Sequence, residues 1–125
     1  MLNTTGQLKG SIVRAFLKNR YQVTPRPQLT KGSEIAVTVS RIGTPRKYRV
    51  TFQFVNLSIF GYANQYRAFE CTCPRFVTTR EACHHCLIAI NDHAEQRNDQ
   101  LPNEIFAAFE MSKANKTELF KVLAA

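Results

Sequence analysis

Acidic residues are nearly missing from the first half of this chain, and cysteine is missing from all but one short stretch. Residues 1–60 hold ten lysine and arginine side chains against a single acid, Glu34, while residues 61–125 hold seven basic and eight acidic side chains. The net charge of the 125 residues is +8. A basic excess confined to one half favours a polyanionic partner, nucleic acid before a membrane surface, although a solvated basic surface has the same composition.

Long apolar runs are also missing. No segment approaches the roughly 20 apolar residues of a membrane span, and the first twenty residues lack the apolar core of a signal peptide. We therefore expect an intracellular protein, cytoplasmic or, in a eukaryote, nuclear, with no membrane partner. In a reducing compartment, clustered cysteines indicate metal ligands or redox thiols rather than structural disulfides.

Neither internal repeats nor low-complexity segments occur, and 44% of the residues are hydrophobic. A chain of this length suits one compact domain. We predict a single domain over residues 1–125 with an α+β fold.

Helices are predicted at both ends of the chain and a small sheet between them. Apolar residues at helical spacing predict a basic amphipathic helix over residues 4–20 and one or two C-terminal helices within residues 101–124. Alternation over residues 35–40 and 48–54, on either side of a Gly-Thr-Pro turn, predicts a hairpin. A third antiparallel strand is expected near residues 66–71, and the Pro25-Arg26-Pro27 segment is interpreted as an extended connection.

All four cysteines and two of the three histidines lie in CTCPRFVTTREACHHC, residues 71–86. Residues two apart on a strand point to the same side, so Cys71 and Cys73 can face one ion. Nine residues then separate Cys73 from Cys83, which is enough to return a second pair from the opposite side. Two locally fixed pairs of ligands are typical of a structural zinc site.

The second pair is expected at the entrance of a helix. Residues two apart in a regular helix point in nearly opposite directions, so Cys83 and His85 can share an ion only at an irregular first turn. Thr78 and Glu81 fit a capping box that would start this helix near Thr79, but the start could equally fall later, at the motif itself.

The spacing Cys71-Thr72-Cys73, nine residues, Cys83-His84-His85 resembles the Cys-x-Cys…Cys-x-His pattern of the SWIM zinc finger. Pro74 and Phe76 after the first pair and the apolar residues after His85 strengthen this resemblance. It implies a short antiparallel sheet leading into a helix, with a core at about residues 66–95. It also implies one structural Zn²⁺ held by Cys71, Cys73, Cys83 and His85, and a noncatalytic role in DNA binding or protein interaction, as in recombination or transposition complexes.

Two alternatives concern Cys86. Cys83 and Cys86 form a Cys-x-x-Cys pair, which is a common zinc-knuckle spacing, so Cys86 could replace His85 as the fourth ligand. The same pair at a helix N-terminus would suit a thiol oxidoreductase. Against the latter, residues 77–82 do not resemble the buried strand that normally precedes such a motif, and the other two cysteines would go unexplained.

The leading functional hypothesis is a nucleic-acid-binding module, for DNA rather than RNA, without enzymatic activity or a small-molecule substrate. Phosphate contacts are expected from the basic residues of the first helix, the hairpin and the segment between the ligand pairs: Lys9, Arg14, Lys18, Arg20, Arg41, Arg46, Lys47, Arg49, Arg75 and Arg80. The alternative is a protein adaptor or inhibitor whose helices within residues 101–124 dock on a larger partner. His93 is interpreted as a surface helix residue.

Overall fold

The chain divides into two compact units, which are residues 1–19 with 101–125 and residues 20–100. The computed structural model describes residues 10–27, 34–57, 60–62, 64–81, 83–99, 101 and 105–106. None of the helices in these ranges is both long and apolar enough to cross a membrane. The single-domain organisation stays a prediction.

Helix α1, Gly10–Arg20, forms as the amphipathic pattern predicts, and all of it but its last residue belongs to the first unit. Gly10, Val13, Phe16 and Leu17 are buried, and their spacing of three and four residues places them on one face. The predicted first turns, residues 4–9, and most of the predicted C-terminal helices lie outside the described residues. Of the C-terminal segment the structure describes Leu101, Ile105 and Phe106.

The second unit is built on a four-stranded antiparallel sheet in the order β1-β2-β3-β4. The strands are β1 Tyr21–Pro25, β2 Glu34–Arg41, β3 Lys47–Val55 and β4 Gln65–Cys71. The α+β class and the hairpin of β2 and β3 are confirmed, but the predicted count of three strands is wrong. The additional strand, β1, pairs with β2 from Tyr21 opposite Arg41 to Pro25 opposite Val37.

The missed strand is short and ends in proline, which explains why its pattern is weak. Proline cannot donate a hydrogen bond within a sheet, so it is tolerated at an edge, and β1 is an edge strand. Tyr21 is buried and Val23 is half-buried, so only two apolar side chains mark the strand. The segment that begins with Pro25 is therefore partly strand, rather than only a connection.

One face of the sheet packs against helix α3, His84–Gln96, which contacts all four strands. Val39, Val50 and Phe52 have no exposed surface and form the centre of this core. Tyr48 and Phe54, on the same face as Phe52, are half-buried. The aromatic alternation of β3 thus faces the core, as interpreted from the sequence.

A β-bulge in β4 decides which of its side chains reach that core. Thr51 pairs with Glu70 but Gln53 pairs with Arg67, so β4 holds one extra residue opposite Phe52. Ala68, within the bulge, adopts a left-handed φ of 55°. Without the extra residue Tyr66 and Cys71 would lie on opposite faces, because they are an odd number of residues apart. In a regular strand Arg67 would lie on the side of Cys71, but the bulge turns Arg67 to the exposed face.

The segment between the two ligand pairs contains an additional helix, α2, Pro74–Thr79. The hydroxyl of Thr78 donates to the carbonyl of Pro74 over 2.8 Å, and Arg80 ends the helix in a left-handed conformation with φ 60°. Thr78 therefore lies in the last turn of α2 and does not cap the start of the following helix. Of the two predicted starts for the following helix, the later is observed, because α3 begins at His84.

Candidate metal centre

The first ligand pair lies where β4 passes into α2. Cys71 is the last residue of β4, and Cys73 is the N-cap of α2. The backbone N–H of Cys73 donates to Sγ of Cys71, and the N–H of Phe76 donates to Sγ of Cys73, each over 3.4 Å. Both sulfurs thus accept an N–H from the chain that follows them, which favours the thiolate form that a metal requires.

The second pair lies at the start of α3. Cys83 is the N-cap residue, with φ −93° and ψ 175°, and His85 lies in the first helical turn. Inside a helix, side chains two residues apart point in nearly opposite directions. Because the backbone of Cys83 is extended rather than helical, its side chain and that of His85 can point to the same side. This is the irregular helix entrance that the sequence predicted for the second pair.

The two pairs meet in one buried cluster. The ligand atoms of Cys71, Cys73, Cys83 and His85 all lie within 4.8 Å of one another, and all four residues are buried. Nδ1 of His85 lies 3.8 Å from Sγ of Cys71 and 3.7 Å from Sγ of Cys83. Two ligands of a tetrahedral ion at the usual zinc–sulfur distance are separated by about 3.8 Å. The cluster could hold a metal ion.

Ionisation within the cluster is unequal. Hydrogen bonds from the thiols of Cys71 and Cys86 lower the pKa of Cys83. The hydrogen bond between Cys71 and Cys83 also raises the pKa of Cys71. Burial raises the pKa of Cys73. Because the thiols are buried together, ionising all three ligand cysteines requires a cation among them.

Aromatic rings enclose His85. The ring of Tyr48 lies 4.6 Å from the imidazole, between centroids, and the ring of Tyr21 lies at 5.8 Å in an edge-on arrangement. Tyr21 also brings its hydroxyl oxygen to 3.1 Å from Nε2 of His84. Tyr21 was not among the residues predicted for the site, and its only signal in the sequence is an aromatic residue four positions before Pro25.

Two arginines lie beside the cluster near His84. Burial, reinforced by the adjacent His85, lowers the pKa of His84 to about 4, and the charges of Arg75 and Arg41 act in the same direction. The guanidinium of Arg41 also lies 5.8 Å from the centre of the Tyr21 ring. Two of the predicted phosphate-binding residues therefore act electrostatically on His84, the neighbour of the candidate ligand His85.

A third arginine is tied to the ligand segment through the backbone. The N–H of Arg49 donates to Oγ1 of Thr72 over 3.0 Å, and the N–H of Thr72 donates to the carbonyl of Arg49 over 3.1 Å. Thr72 lies between two ligands, so the start of β3 is fixed to the cluster. Arg46 and Lys47 precede Arg49 in the chain, and all three side chains are exposed.

The remaining predicted contact residues are dispersed. The guanidinium of Arg14 donates to the carbonyl of Leu101 and lies 4.6 Å from the centre of the Phe106 ring, within the first unit. Lys18 is exposed on α1. In the second unit, Arg20 is half-buried and its carbonyl accepts the N–H of Ile42, while Arg80 is exposed at the end of α2. Lys9 lies outside the described residues.

His93 is less exposed than the sequence analysis expected. It is half-buried against Phe52 and Phe54, at centroid distances of 5.6 Å and 4.7 Å, and its Nδ1 lies 2.9 Å from the hydroxyl of Tyr66. Its place is in the aromatic core beneath the sheet, so the interpretation as a surface residue is wrong.

Comparisons with protein-family models, with curated proteins and with solved structures gave no match for this chain.

Proposed function

We propose that this chain is a zinc-stabilised, noncatalytic binding module with a SWIM-type centre and that it binds nucleic acid, DNA in preference to RNA. The observation that carries the proposal is the buried cluster of Cys71, Cys73, Cys83 and His85. Three thiolates and one imidazole are a ligand set that zinc prefers. The cofactor is one structural Zn²⁺.

His85 is the proposed fourth ligand. Its Nδ1 approaches two of the cysteine sulfurs and it belongs to the group of four whose ligand atoms are mutually close. A four-coordinate zinc ion leaves no position open for water, and in this arrangement its chemistry is the stabilisation of a fold rather than the activation of a substrate. This supports a binding function without catalysis.

The proposed nucleic-acid surface lies at the metal centre. Arg41 and Arg75 lie near His84, and the backbone of Arg49 is hydrogen-bonded to the residue between two ligands. Arg46 and Lys47 extend this group along the hairpin. Closing the metal site would hold these cations together, and grouped cations bind phosphates in a salt-dependent manner.

The first experiment measures metal content and DNA affinity on the intact chain. Native mass spectrometry is expected to show one zinc per chain, and removing it with a chelator is expected to unfold the second unit, because structural zinc supplies on the order of 10 kcal/mol of folding free energy. Fluorescence anisotropy with a labelled DNA duplex is expected to show affinity that falls steeply with salt. Absence of bound zinc would contradict the proposed zinc site. Absence of DNA affinity at low salt would contradict the proposed nucleic-acid binding.

Arg49→Ala and Arg67→Ala form a matched pair for the surface. Both residues are exposed arginines of the sheet, but Arg49 is tied to the metal centre and Arg67 lies on β4 beyond the bulge. Arg49→Ala is expected to lower the slope of log affinity against log salt by about 0.9, the value for one phosphate contact. Arg67→Ala is expected to leave the slope unchanged, and equal losses in both variants would argue against a localised surface.

A protein partner is the second candidate function. Phe60 and Tyr62, in the connection from β3 to β4, have exposed fractions of 69% and 70%. Large exposed aromatic side chains are enriched at protein interfaces. Docking through this loop, rather than through the helices within residues 101–124, predicts that the double variant Phe60→Ser with Tyr62→Ser abolishes capture of the partner from lysate, while leaving zinc content unchanged. Retained capture would exclude this loop as the docking surface.

A further inference from the structure

The metal centre contains a fifth group, the thiol of Cys86, that the four-ligand set does not use. Its Sγ lies 3.7 Å from Sγ of Cys83, and both residues have an exposed fraction of 1%. Cys83 is therefore at once a member of the group of four and a close sulfur neighbour of a thiol outside it. Any bond between the two sulfurs would compete with metal binding.

The backbone holds these two cysteines in a suitable relation. Cys83 is the N-cap of α3 and Cys86 lies in the first turn, where the N–H of Leu87 donates to the carbonyl of Cys83 over 3.2 Å. A disulfide requires a sulfur–sulfur distance of about 2.05 Å. The sulfurs must therefore approach by less than about 2 Å, which small side-chain rotations supply without moving the helix.

We propose that Cys83 and Cys86 form a reversible disulfide under hydrogen peroxide, and that this modification disables the metal centre by removing Cys83 from the ligand set. The effect on the metal rests on the proposed zinc site. The disulfide itself does not, because it depends only on the two sulfurs. The thiol of Cys86 offers an oxidised Cys83 a partner that is not itself one of the four ligands.

The reaction balances with peroxide as the oxidant. The sulfur of Cys83 attacks one peroxide oxygen, the O–O bond breaks, and a sulfenic acid and one water form. The sulfur of Cys86 then attacks the sulfenic sulfur, the S–S bond forms, the S–O bond breaks and a second water leaves. Two thiols lose two electrons and two protons, and one peroxide is reduced to two waters. A dithiol reductant reverses the change by thiol–disulfide exchange.

Burial of the two thiols lowers the rate at which peroxide oxidises them. Both thiols are almost completely enclosed, so oxidation is expected to be slower than that of an exposed cysteine. The centre would thus retain its ligands under brief exposure and lose them under sustained peroxide.

The experiment treats the reduced, zinc-loaded full chain with hydrogen peroxide and follows three signals. Zinc release is measured with a chromogenic chelator, oxidation by an intact-mass decrease of about 2 Da, and connectivity by mapping of disulfide-linked peptides. The expected result is one disulfide joining Cys83 to Cys86, with one zinc released per disulfide. Treatment with a dithiol and zinc is expected to restore both the mass and the metal.

Cys86→Ala and Cys86→Ser are the matched variants, one apolar and one polar, so that a packing defect in either can be recognised. Both are expected to bind one zinc and to release it at least about ten-fold more slowly than the unmodified chain. Release at an unchanged rate, or a disulfide joining Cys71 to Cys73, would overturn the proposal. Loss of zinc from both variants before any peroxide is added would also overturn it, because Cys86 would then be a ligand.

A chain that carries no zinc as purified would refute the proposed function but not this inference. Peptide mapping of the peroxide-treated, metal-free chain still shows whether Cys83 and Cys86 are joined. Absence of that linkage in both the zinc-loaded and the metal-free chain would refute the disulfide.

Discussion

Arg49 and Thr72 exchange two hydrogen bonds, one through the hydroxyl of Thr72 and one through the carbonyl of Arg49. The first joins a strand that carries predicted phosphate contacts to the residue between Cys71 and Cys73. These bonds hold the ligand segment against β3 through atoms that are not candidate metal ligands. The geometry of the first ligand pair and the position of the cationic strand are consequently linked.

Replacing Thr72 tests this link. Thr72→Val removes the acceptor for the N–H of Arg49 while preserving the shape of the side chain, and is expected to lower the free energy of unfolding by about 1 kcal/mol. Urea denaturation of the metal-bound chain measures the loss. Thr72→Ser retains the hydroxyl and is expected to stay close to the unmodified protein. A valine variant as stable as the serine variant would show that the bond contributes nothing.

The adjacent histidines His84 and His85 provide a matched test of the ligand set. His85→Ala is expected to abolish stoichiometric zinc binding, because it removes the Nδ1 that faces the sulfurs of Cys71 and Cys83. His84→Ala is expected to keep one zinc, since the Nε2 of His84 faces the hydroxyl of Tyr21. Inductively coupled plasma mass spectrometry measures both. Retention of zinc in His85→Ala together with its loss in Cys86→Ala would transfer the fourth ligand to Cys86.

His93 is expected to make stability depend on pH. Burial, assisted by the charge of Arg97, lowers the pKa of His93 below its ordinary value of 6.5 in the folded chain. The unfolded chain therefore takes up the proton first. The stabilising contribution is complete above pH 6.5 and is lost as the pH falls from there towards the lowered pKa.

His93→Phe isolates this contribution, because phenylalanine stays neutral and suits an aromatic environment. Urea unfolding at about pH 7.5 and about pH 5.5 is expected to show a larger loss of stability for the unmodified chain than for the variant. Acid effects on the metal centre occur in both proteins and cancel in the difference. An equal loss in both would show that His93 titrates normally in the folded state.

Ala68 is the strained residue of the β4 bulge. Its left-handed φ of 55° costs a residue with a side chain about 1 kcal/mol, which glycine avoids. Ala68→Gly is expected to be at least as stable as the unmodified chain, since this relief offsets the greater flexibility of glycine when unfolded. Ala68→Val is expected to lose about 1–2 kcal/mol, because a β-branched side chain suits this conformation poorly. Thermal or urea unfolding measures both, and a destabilised glycine variant would contradict the assignment of strain.

Much of the candidate site could be predicted because its signals are local. Cys71 and Cys73 belong to one strand end, and Cys83 and His85 to one helix entrance, so spacing alone indicates two pairs. Helix α1 and the β2–β3 hairpin follow from apolar periods of 3.6 and 2. These elements are strongly periodic over six residues or more, so no distant contact is needed to identify them.

The missed features depend on partners that lie far away in the chain. Strand β1 has two inward-facing apolar side chains and becomes a strand by pairing with β2, whose residues are about 20 positions away at its first pair, Tyr21 with Arg41. The bulge at Ala68 is invisible as a pattern, because it consists of one unpaired residue opposite Phe52. The sequence around His93 does not distinguish it from an exposed helix residue, because its contacts with Phe54 and Tyr66 come from distant strands.

Residue order by itself determined the α+β character, the pairing of the four candidate metal ligands and the uneven distribution of charge, because each depends only on composition or short-range spacing. Only the tertiary structure decided which face of β4 reaches the core, and that Arg41, Arg49 and Arg75 lie beside the cluster. The physical reason is that register and burial are set by contacts between distant segments. A shift of one residue in such a contact reverses the side to which every following side chain points.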